Sequence, residues 1–415
     1  MTRLGDVSDM LVGFAFKSAG FLDADADGVR ILRGDNVQQG YIRWGDKTKK
    51  WPVAQCDGLE RYQLAEDDVI LAMDRPIVGD GLKMAWIRPE DLPALLVQRV
   101  CRLRGKPDMA LTKFIRYVLA APDFSGHIHR ITTGANIPHI SGKDIAAYEF
   151  ELPDLEDQVR IVECLSAYDD LIATNQRRIA LLEDAARRLY REWFVHLRFP
   201  GHESVRVKDG VPEGWSHGSA YDFISILSGG TPKTGVEHYW GGDIPFFTPK
   251  DSPDAFYVLG TEKTLTESGL ASCNSRLFSK NTTFITARGT VGKVALAQKP
   301  MAMNQSCYAL APKQDYDNLF LFAAIKDAVE HFKQVAVGGV FDAIVVDTFK
   351  VIPFVLPDAV VTRAFGNAVR PLFQQVETLL LQNTQLAQAR DLLLPKLMSG
   401  QLDVSGIALP AEVAA

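Results

Sequence analysis

Cysteine is scarce in this chain and shows no pattern typical of a metal site or a disulfide framework. The 415 residues include five cysteines, Cys56, Cys101, Cys164, Cys273 and Cys307, and no C-x-x-C pair. An odd number of widely scattered cysteines predicts reduced thiols and a cytoplasmic location. No segment approaches the ~18 continuous apolar residues of a membrane span, and the opening MTRLGDVSDM lacks the pattern of a signal peptide. We expect a soluble protein.

Signatures of catalysis are also missing. The segment nearest to a phosphate-binding loop, residues 288–293, has the wrong spacing and no Ser or Thr after its lysine. There is no G-x-S-x-G elbow, H-E-x-x-H motif, methyltransferase motif of the Asn-Pro-Pro-Tyr type or glycine-rich adenosylmethionine loop. We therefore expect no catalytic residue and no metal site, and the missing motifs favour a binding protein.

Positive charge is in deficit, since the net charge is -6. This speaks against a simple nucleic-acid binder, although phosphate contact needs only a local basic surface. Two runs could supply one, although a solvated face is the simpler interpretation of each alone. They are Arg43, Lys47, Lys49 and Lys50 with Trp44 and Trp51 between them, and Arg99, Arg102, Arg104 and Lys106.

An internal repeat is the most informative feature that is present. Residues 134–154 and 338–358 both end in an apolar strand followed by Leu-Pro-Asp, and VILAMDRPIVG at 69–79 resembles FITARGTVG at 284–292. LVQRVCRL from Leu96 likewise resembles MNQSCYAL from Met303. The chain thus has the pattern of a tandem duplication of two β-rich domains of about 150 residues, a comfortable size for one core.

A long helix with a heptad seam is predicted after each Leu-Pro-Asp. Apolar residues from Ile161 to Trp193, and again from Val369 to Leu397, alternate three-residue and four-residue steps, which is the period of a left-handed coiled coil. Asp154 is placed to cap the first helix, and Pro395 is expected to break the pattern of the second and weaken its Leu397 layer.

One asparagine interrupts each seam and suggests a register. An antiparallel pair that sets Asn175 against Asn383 also sets apolar residues against each other in the neighbouring layers, and it places Arg390 over the ring of Tyr168 as a cation–π layer. The alternative is that each helix packs on its own domain and the asparagines face water. The matching layers favour an α+β fold of two β-rich domains, each followed by a long helix, with the helices paired as an antiparallel coiled coil.

These patterns divide the chain into five parts. We predict domains at residues 1–153 and 201–357, helical spacer regions at 154–200 and 358–405, and a disordered tail at 406–415. About 30 residues of helix extend roughly 50 Å. If the domains bind DNA, such helices would separate two half-sites by a stretch that is not read.

The chain resembles a known family over nearly its whole length, most specifically in the second domain and in both helices. SGGTPKTGVEHYWGGDIPFFTPKD from Ser228, ARGTVGKVA from Ala287, MNQSCYAL, and the closing RDLLLPKLMSGQLDV are similar to the DNA-specificity subunit of type I restriction-modification systems. The first domain matches less closely, with Arg75-Pro76-Ile77-Val78-Gly79 standing where Arg-Gly-Thr-Val-Gly is expected. The resemblance implies two target-recognition domains that each read one half of an asymmetric site in double-stranded DNA.

The same resemblance implies partners and cofactors. The helices would dock two methylation subunits, two motor-nuclease subunits would join for restriction, and adenosylmethionine, ATP and Mg²⁺ would belong to those partners. Polar side chains on loops are the candidates for DNA contact, because phosphate contacts position a protein and base contacts specify its site. In the first domain the candidates are Lys17, Arg33, Asn36, Lys47, Lys49, Arg75, Arg130, Thr133 and Asn136, and in the second they are Thr231, Lys233, Tyr239, Trp240, Lys250, Arg288, Thr290 and Lys293.

Three other interpretations are open from sequence. The chain could belong to a phage-defence system that does not cut DNA, it could be a nuclease with an unfamiliar motif, or it could be a coiled-coil scaffold whose domains bind protein. Tyr239 and Trp240 could equally anchor their loop.

Overall fold

The computed structural model describes residues 1–45, 47–79, 81–132, 138–208, 210–335 and 343–407. These residues form two compact units, one of residues 1–170 with 386–415 and one of residues 171–385. Each unit therefore combines one β-rich domain with segments of both long helices. The domain bounds predicted from the sequence stay a prediction.

Unit 1 contains short strands and four short helices. In chain order these are β1 (Thr2–Arg3), α1 (Leu4–Val7), β2 (Ser8–Val12), β3 (Val29–Leu32), β4 (Lys49–Trp51), β5 (Val69–Ala72), β6 (Ile77–Val78), β7 (Gly81–Leu82), β8 (Met84–Trp86), β9 (Ala94–Leu96), β10 (Val100–Gly105), α2 (Thr112–Ala120), α3 (Pro122–Thr132), α4 (Gly142–Ala146) and β11 (Glu149–Phe150). The first long helix, α5, follows as Leu155–Tyr190, with one π-helical turn at Arg191–Val195.

Unit 2 repeats this order of elements. They are β12 (Val207–Lys208), β13 (Val211–Pro212), β14 (Ser216–Ser219), α6 (Ala220–Phe223), β15 (Ile224–Ser228), β16 (Trp240–Phe247), β17 (Tyr257–Val258), β18 (Lys263–Leu265), α7 (Glu267–Ala271), β19 (Thr283–Thr286), β20 (Val294–Ala297), β21 (Ala302–Met303), β22 (Cys307–Pro312), α8 (Asn318–Val335), α9 (Thr348–Val351) and β23 (Pro353–Leu356). The second long helix, α10, is Ala359–Met398.

The sheet topologies of the two units correspond, apart from the additional edge strand β17 in unit 2. One sheet has the order β2-β10-β5-β8 in unit 1 and β15-β22-β19-β20-β17 in unit 2. A second sheet has the order β4-β3-β9 in unit 1 and β18-β16-β21 in unit 2, with the last pair parallel in both. Leu103 faces Val69 where Leu310 faces Thr283, so the register also agrees. The duplication inferred from sequence is a duplication of fold.

The core of unit 1 lies on both faces of its central strand. Successive side chains of a strand point to opposite faces, so Val69 and Leu71 pack with α2, while Ile70 and Ala72 pack toward the sheet that contains β9. Both faces of β5 are covered, which explains why this strand is an unbroken apolar run.

Hydrogen bonds fix the start of α5 on unit 1. The Asp154 carboxylate accepts a hydrogen bond from the backbone N–H of Asp157 at 2.9 Å, so Asp154 caps the helix as predicted. The buried Gln158 side chain accepts from the Leu111 N–H at 2.9 Å and donates to the Met109 carbonyl at 3.0 Å. This amide ties the first turn of α5 to the loop before α2.

The helices pair as an antiparallel coiled coil, and the asparagine layer lies in unit 2. Asn175 is buried, and its Nδ2 donates to Asn383 Oδ1 at 2.9 Å. The two asparagines therefore face each other, not water. Ile179 and Leu379 belong to one buried cluster, in agreement with the predicted layer beside the asparagines.

Arg390 does not lie over the Tyr168 ring, and that prediction was wrong. The Arg390 guanidinium donates to Asp169 Oδ1 at 2.7 Å, and no cation–π contact joins Arg390 and Tyr168, both of which the structure describes. A carboxylate one residue away offers a charge-assisted hydrogen bond, which is stronger than the attraction of a ring face.

The expected break at Pro395 does not occur. Helix α10 continues through this proline to Met398, and Leu394 and Leu397 are both buried in the core of unit 1. Burying two leucines is worth about 1.5–3 kcal/mol each, which offsets the roughly 3 kcal/mol cost of an interior proline. The helix ends near Gly400, whose φ of 68° suits a C-terminal cap.

Candidate nucleic-acid interface

Four loops of unit 2 meet beyond the ends of its strands. They comprise residues 229–233, 248–251, 287–293 and 304–306, and we refer to them as the loop cluster of unit 2. Backbone hydrogen bonds join them: Gly230 N–H to the Met303 carbonyl at 3.1 Å, and Ala287 N–H to the Ser306 carbonyl at 2.8 Å. An added Cβ on Gly229 would lie 2.3 Å from the Asn304 carbonyl oxygen, so only glycine permits this approach.

Six of the sequence-predicted residues lie on the loop cluster of unit 2. Thr231 hydrogen-bonds Gln305, and Thr290 Oγ1 donates to the Pro249 carbonyl at 3.2 Å. Lys250 and Arg288 are exposed, and their side chains make no ion pair with residues of the described ranges. The residues brought together are Thr231, Lys233, Lys250, Arg288, Thr290 and Lys293.

Lys293 differs from the other cations in the set because its ammonium is paired with Asp254. Its side chain is 41% exposed and that of Asp254 is 97% exposed. Such an exposed pair is worth little, so the ammonium can exchange this partner for a phosphate at small cost.

Tyr239 and Trp240 lie at the start of β16. The Trp240 indole N–H lies 3.4 Å from the Lys233 carbonyl, its ring packs 5.5 Å from that of Phe246, and Lys263 lies 5.4 Å from its centroid. Both aromatic residues are half-buried. These contacts agree with the loop-anchoring interpretation, and the prediction that the two rings contact DNA stays a prediction.

Unit 1 has an equivalent arrangement, the loop cluster of unit 1, made of residues 13–14, 33–36, 73–79 and 97–99. Phe14 N–H donates to the Leu96 carbonyl at 3.0 Å and Met73 N–H to the Arg99 carbonyl at 2.8 Å, matching the two bonds in unit 2. The turn at Arg33 also has its counterpart. Asn36 Oδ1 accepts from Arg33 N–H, as Asp251 Oδ2 accepts from Thr248 N–H.

That turn changes the interpretation of Asn36. The residue is only 2% exposed, its oxygen accepts from Arg33 N–H at 3.1 Å and its Nδ2 donates to the Arg43 carbonyl at 3.1 Å. Both ends of the amide hold the loop together, so Asn36 has no free edge for a base. The prediction of a DNA contact is at odds with this placement. Arg33 is partly buried, and its guanidinium lies 3.6 Å from Asp35.

The other predicted cations of unit 1 are spread over several elements. Lys17 and Lys47 are exposed on loops, and Arg130 is exposed near the end of α3. Lys49 in β4 donates to Asp23 at 2.5 Å. Arg75 is exposed at the tip of the loop after β5. Thr133 and Asn136 lie outside the described residues.

Three cations of the second basic run are engaged within unit 1, which differs from the solvated face of the simpler interpretation. Arg102 bonds Asp9, Arg104 bonds Asp68 through two nitrogens, and Lys106 donates to the Asp6 carbonyl at 2.7 Å. Arg102 is buried. The charges of Arg102 and Arg104 are neutralised by carboxylates within unit 1, so these two arginines offer little to phosphates.

Residues 1–184 and 212–361 match the family model described as the type I restriction modification DNA specificity domain. The chain belongs to this family. The EcoAI specificity subunit of Escherichia coli is 36% identical over 174 residues, which cover 41% of this chain and 28% of that protein. The HindI specificity subunit of Haemophilus influenzae is 21% identical over 415 aligned residues, 84% of this chain and 90% of that protein.

A solved structure shares the fold. The type I restriction-modification S subunit of M. genitalium superposes with a TM-score of 0.55 at 15% identity, and the match covers 95% of each chain. The two matched ranges fall on the two β-rich domains. The family's specificity domain therefore occurs twice here, and each copy has its own loop cluster.

The duplicated fold corrects one alignment. Arg75 was paired with Arg288 by sequence, but the equivalent backbone bonds to Arg99 and Ser306 pair Met73 with Ala287. Arg75 thus matches Gly289, and both have positive φ, 45° and 82°. An aspartate, Asp74, stands in unit 1 where the specificity domain of unit 2 has Arg288.

Asp74 contacts Arg99, a member of the second basic run, and His139, which no sequence pattern selected for DNA contact. Arg99 Nη1 donates to Asp74 Oδ2 at 2.7 Å, and His139 Nδ1 lies 2.6 Å from Asp74 Oδ1. Partial burial raises the pKa of Asp74, but these hydrogen bonds and charges outweigh it and leave that pKa below its usual value. The contact between positions 74, 99 and 139 depends on tertiary structure and carries no local sequence signal.

Within the described ranges there is no group of three or more His, Cys, Asp or Glu that could hold a metal ion. None of the helices in that part of the chain combines the length and hydropathy needed to cross a bilayer.

Proposed function

We propose that this chain is the DNA-specificity subunit of a type I restriction-modification complex, in which each β-rich domain reads one half of a bipartite site. The observation that carries the proposal is the duplicated loop cluster. Two copies of one fold present loops at the same strand ends, but with different side chains. Two similar readers with different loops are what recognition of an asymmetric two-part site requires.

The chemistry of the loops fits DNA. Exposed Lys250 and Arg288 supply donors for phosphates and for base edges in the loop cluster of unit 2. The net charge of -6 remains compatible with binding, because phosphate contact needs only a local basic surface such as exposed Lys250 and Arg288 provide.

The chain itself would have no catalytic role. The helices would set the unread gap between half-sites and dock two methylation subunits, and two motor-nuclease subunits would join for restriction. Adenosylmethionine, ATP and Mg²⁺ would be bound by those partners. Supporting this assignment, exposed leucines such as Leu171, Leu181 and Leu392 lie on α5 and α10 away from the helix seam, where a partner could cover them.

The test is to co-express the chain with the methylation subunit encoded beside it and to map methylated adenines across a genome. A two-part motif with a constant gap is expected. The matched control is the methylation subunit without this chain, which should leave no such motif. Random or absent methylation in the presence of both would contradict the proposal and favour a protein scaffold, and methylation by the purified chain alone would contradict its non-catalytic role.

A further inference from the structure

The Asp74 cluster is defined as Asp74, Arg99 and His139. It joins two residues of the loop cluster of unit 1 to a histidine beside that cluster. The Asp74 carboxylate contacts both other side chains, that of Arg99 at 2.7 Å and that of His139 at 2.6 Å. The side chains of Arg99 and His139 are 67% and 51% exposed. Both side chains are thus accessible to solvent, and their contacts with Asp74 fix their orientation.

The place of the cluster in the duplicated fold connects it with DNA reading. Asp74 is equivalent to Arg288, and Arg99 is equivalent to Ser306. Ile140 N–H donates to the Met73 carbonyl as Ile344 N–H donates to the Ala287 carbonyl, which places His139 at the position of Ala343. The three residues of the cluster therefore occupy the positions that Arg288, Ser306 and Ala343 have in unit 2. The side chain differs at all three positions.

The backbone at the cluster is strained. Arg99 has a φ of 66° and Arg75 a φ of 45°, a left-handed conformation that costs a residue with a Cβ about 1–2 kcal/mol. Unit 2 places Gly289 at the position of Arg75. Ser306, the counterpart of Arg99, has no positive φ, so the left-handed backbone at Arg99 is particular to unit 1, and such strain gathers at functional sites.

Resting on the proposed function, we propose that Arg99 reads a guanine in the half-site of the first domain and that Asp74 is its positioning residue. With Nη1 engaged by Asp74, the guanidinium still has donors on Nη2 and Nε. Two such donors match the O6 and N7 acceptors of guanine in the major groove. His139, fixed by the other carboxylate oxygen, completes the polar surface beside it.

The experiment uses the whole chain with its methylation subunit and compares methylated motifs for wild type, Arg99→Ala, Arg99→Lys and Asp74→Asn. Both Arg99 variants should lose the preference for guanine at one position of one half-site by roughly tenfold to a hundredfold. Lysine keeps the charge but not the planar fork, so it should not rescue. Asp74→Asn should relax the same position less, because the arginine remains but is held less firmly.

Arg3→Ala is the matched control, because Arg3 is an exposed arginine of unit 1 that is also paired with an acid, Glu149, at 3.1 Å. Its motif should equal that of the wild type, and thermal melting should show that all variants fold. An unchanged motif in Arg99→Ala, or equal weakening at every sequence as for a phosphate contact, would overturn the inference alone. Absence of any two-part motif in the wild type would overturn the proposed function and this inference with it.

Discussion

At the residue scale, the five cysteines differ in how accessible and how acidic they are. Cys101 in β10 and Cys307 in β22 are fully buried, and burial raises the pKa of each thiol to about 12. Because the thiolate is the reactive form, these two should resist a maleimide at neutral pH in the folded protein. Cys56, Cys164 and Cys273 are partly exposed, so these three should react before the buried pair.

Mass spectrometry of peptides after timed labelling measures this difference. The internal control is the same reaction in denaturant, where all five cysteines should label at similar rates. Rapid labelling of Cys101 or Cys307 under native conditions would show that the central sheets open readily, against the burial described above.

A second prediction at this scale concerns Lys250, an exposed cation of the loop cluster of unit 2. If it contacts one phosphate, Lys250→Ala should weaken DNA binding at all sequences and reduce the slope of log affinity against log salt by about 0.9. Titration of the complex with its methylation subunit, on a duplex of mixed sequence at several salt concentrations, measures the slope.

The control for Lys250 is Lys299→Ala. Lys299 is exposed in the same unit and follows the end of β20 opposite Lys293, so the variant loses the same charge away from the loop cluster. An equal change of slope in both variants would indicate a general charge effect and would remove Lys250 from the interface.

At the element scale, the asparagine pair fixes the register of the two long helices and lowers their stability. Asn175→Leu alone leaves the Asn383 oxygen without its donor, which should cost about 1–3 kcal/mol of the free energy of unfolding. Replacing both asparagines by leucine makes the layer apolar and should raise the melting temperature above that of the wild type while loosening the register. A double variant that melts below both single variants would show that the pair is not the isolated layer described here.

Asp169 is the other polar centre of the helix pair. In unit 1 its carboxylate accepts from Arg116 at 2.6 Å, Tyr117 at 2.8 Å and Arg390 at 2.7 Å, and the side chains of Arg116 and Asp169 are only 7% and 10% exposed. Asp169→Ala leaves a buried guanidinium without its counter-charge. We expect a loss of about 3–5 kcal/mol in the free energy of unfolding.

Denaturant unfolding of Asp169→Ala and Asp391→Ala measures this directly. Asp391 also binds Arg390, at 2.8 Å, but its side chain is 62% exposed, so its loss should cost below about 1 kcal/mol. Similar losses in the two variants would mean that the Asp169 network does not hold α2, α5 and α10 together.

The elements were more predictable from sequence than the contacts at their ends. The heptad seams and the Leu-Pro-Asp echo depend on periodic patterns, and they predicted both long helices, the duplication and the facing of Asn175 and Asn383. Arg390 was misassigned because the nearby Asp169 lies one residue outside the seam. Pro395 was misassigned because a local rule was outweighed by burial of Leu394 and Leu397, which depends on tertiary structure.

The candidate site was predictable only in part, for the same reason. Lys250, Arg288 and Thr290 lie in recognisable motifs, and the structure brings them together. Asn36 looked like a loop reader, but its amide serves the backbone around it. The Asp74 cluster depends on residues about 25 and 65 positions apart in the chain, and no local pattern could have indicated that they meet.

At the scale of the whole molecule, the chain holds two copies of one fold, and under the proposed function each copy reads one half-site. Changing one loop cluster should alter one half-site only, because each unit has its own core and its own loops. The gap between half-sites, in contrast, should depend on the length of α5 and α10. The bases that are read in each half-site and the length of the unread gap are therefore expected to vary independently.

A heptad insertion tests that independence. Seven residues inserted after Arg177 in α5 and after Leu381 in α10 fall beside the asparagine layer and preserve the seam, since the hydrophobic pattern repeats every seven residues. The insertion lengthens each helix by about 10 Å, which corresponds to at most about 3 base pairs of DNA. Mapping methylated adenines should give the same two half-sites with a longer gap.

Inserting the heptad in α5 alone provides the comparison. It leaves the layers on one side of the insertion without their partners, so this variant should melt at a lower temperature than the double insertion. If the double insertion folds, methylates and keeps the original gap, the helices do not determine the spacing. The gap would then have to be set by the partner subunits, and the paired helices would serve only as their docking surface.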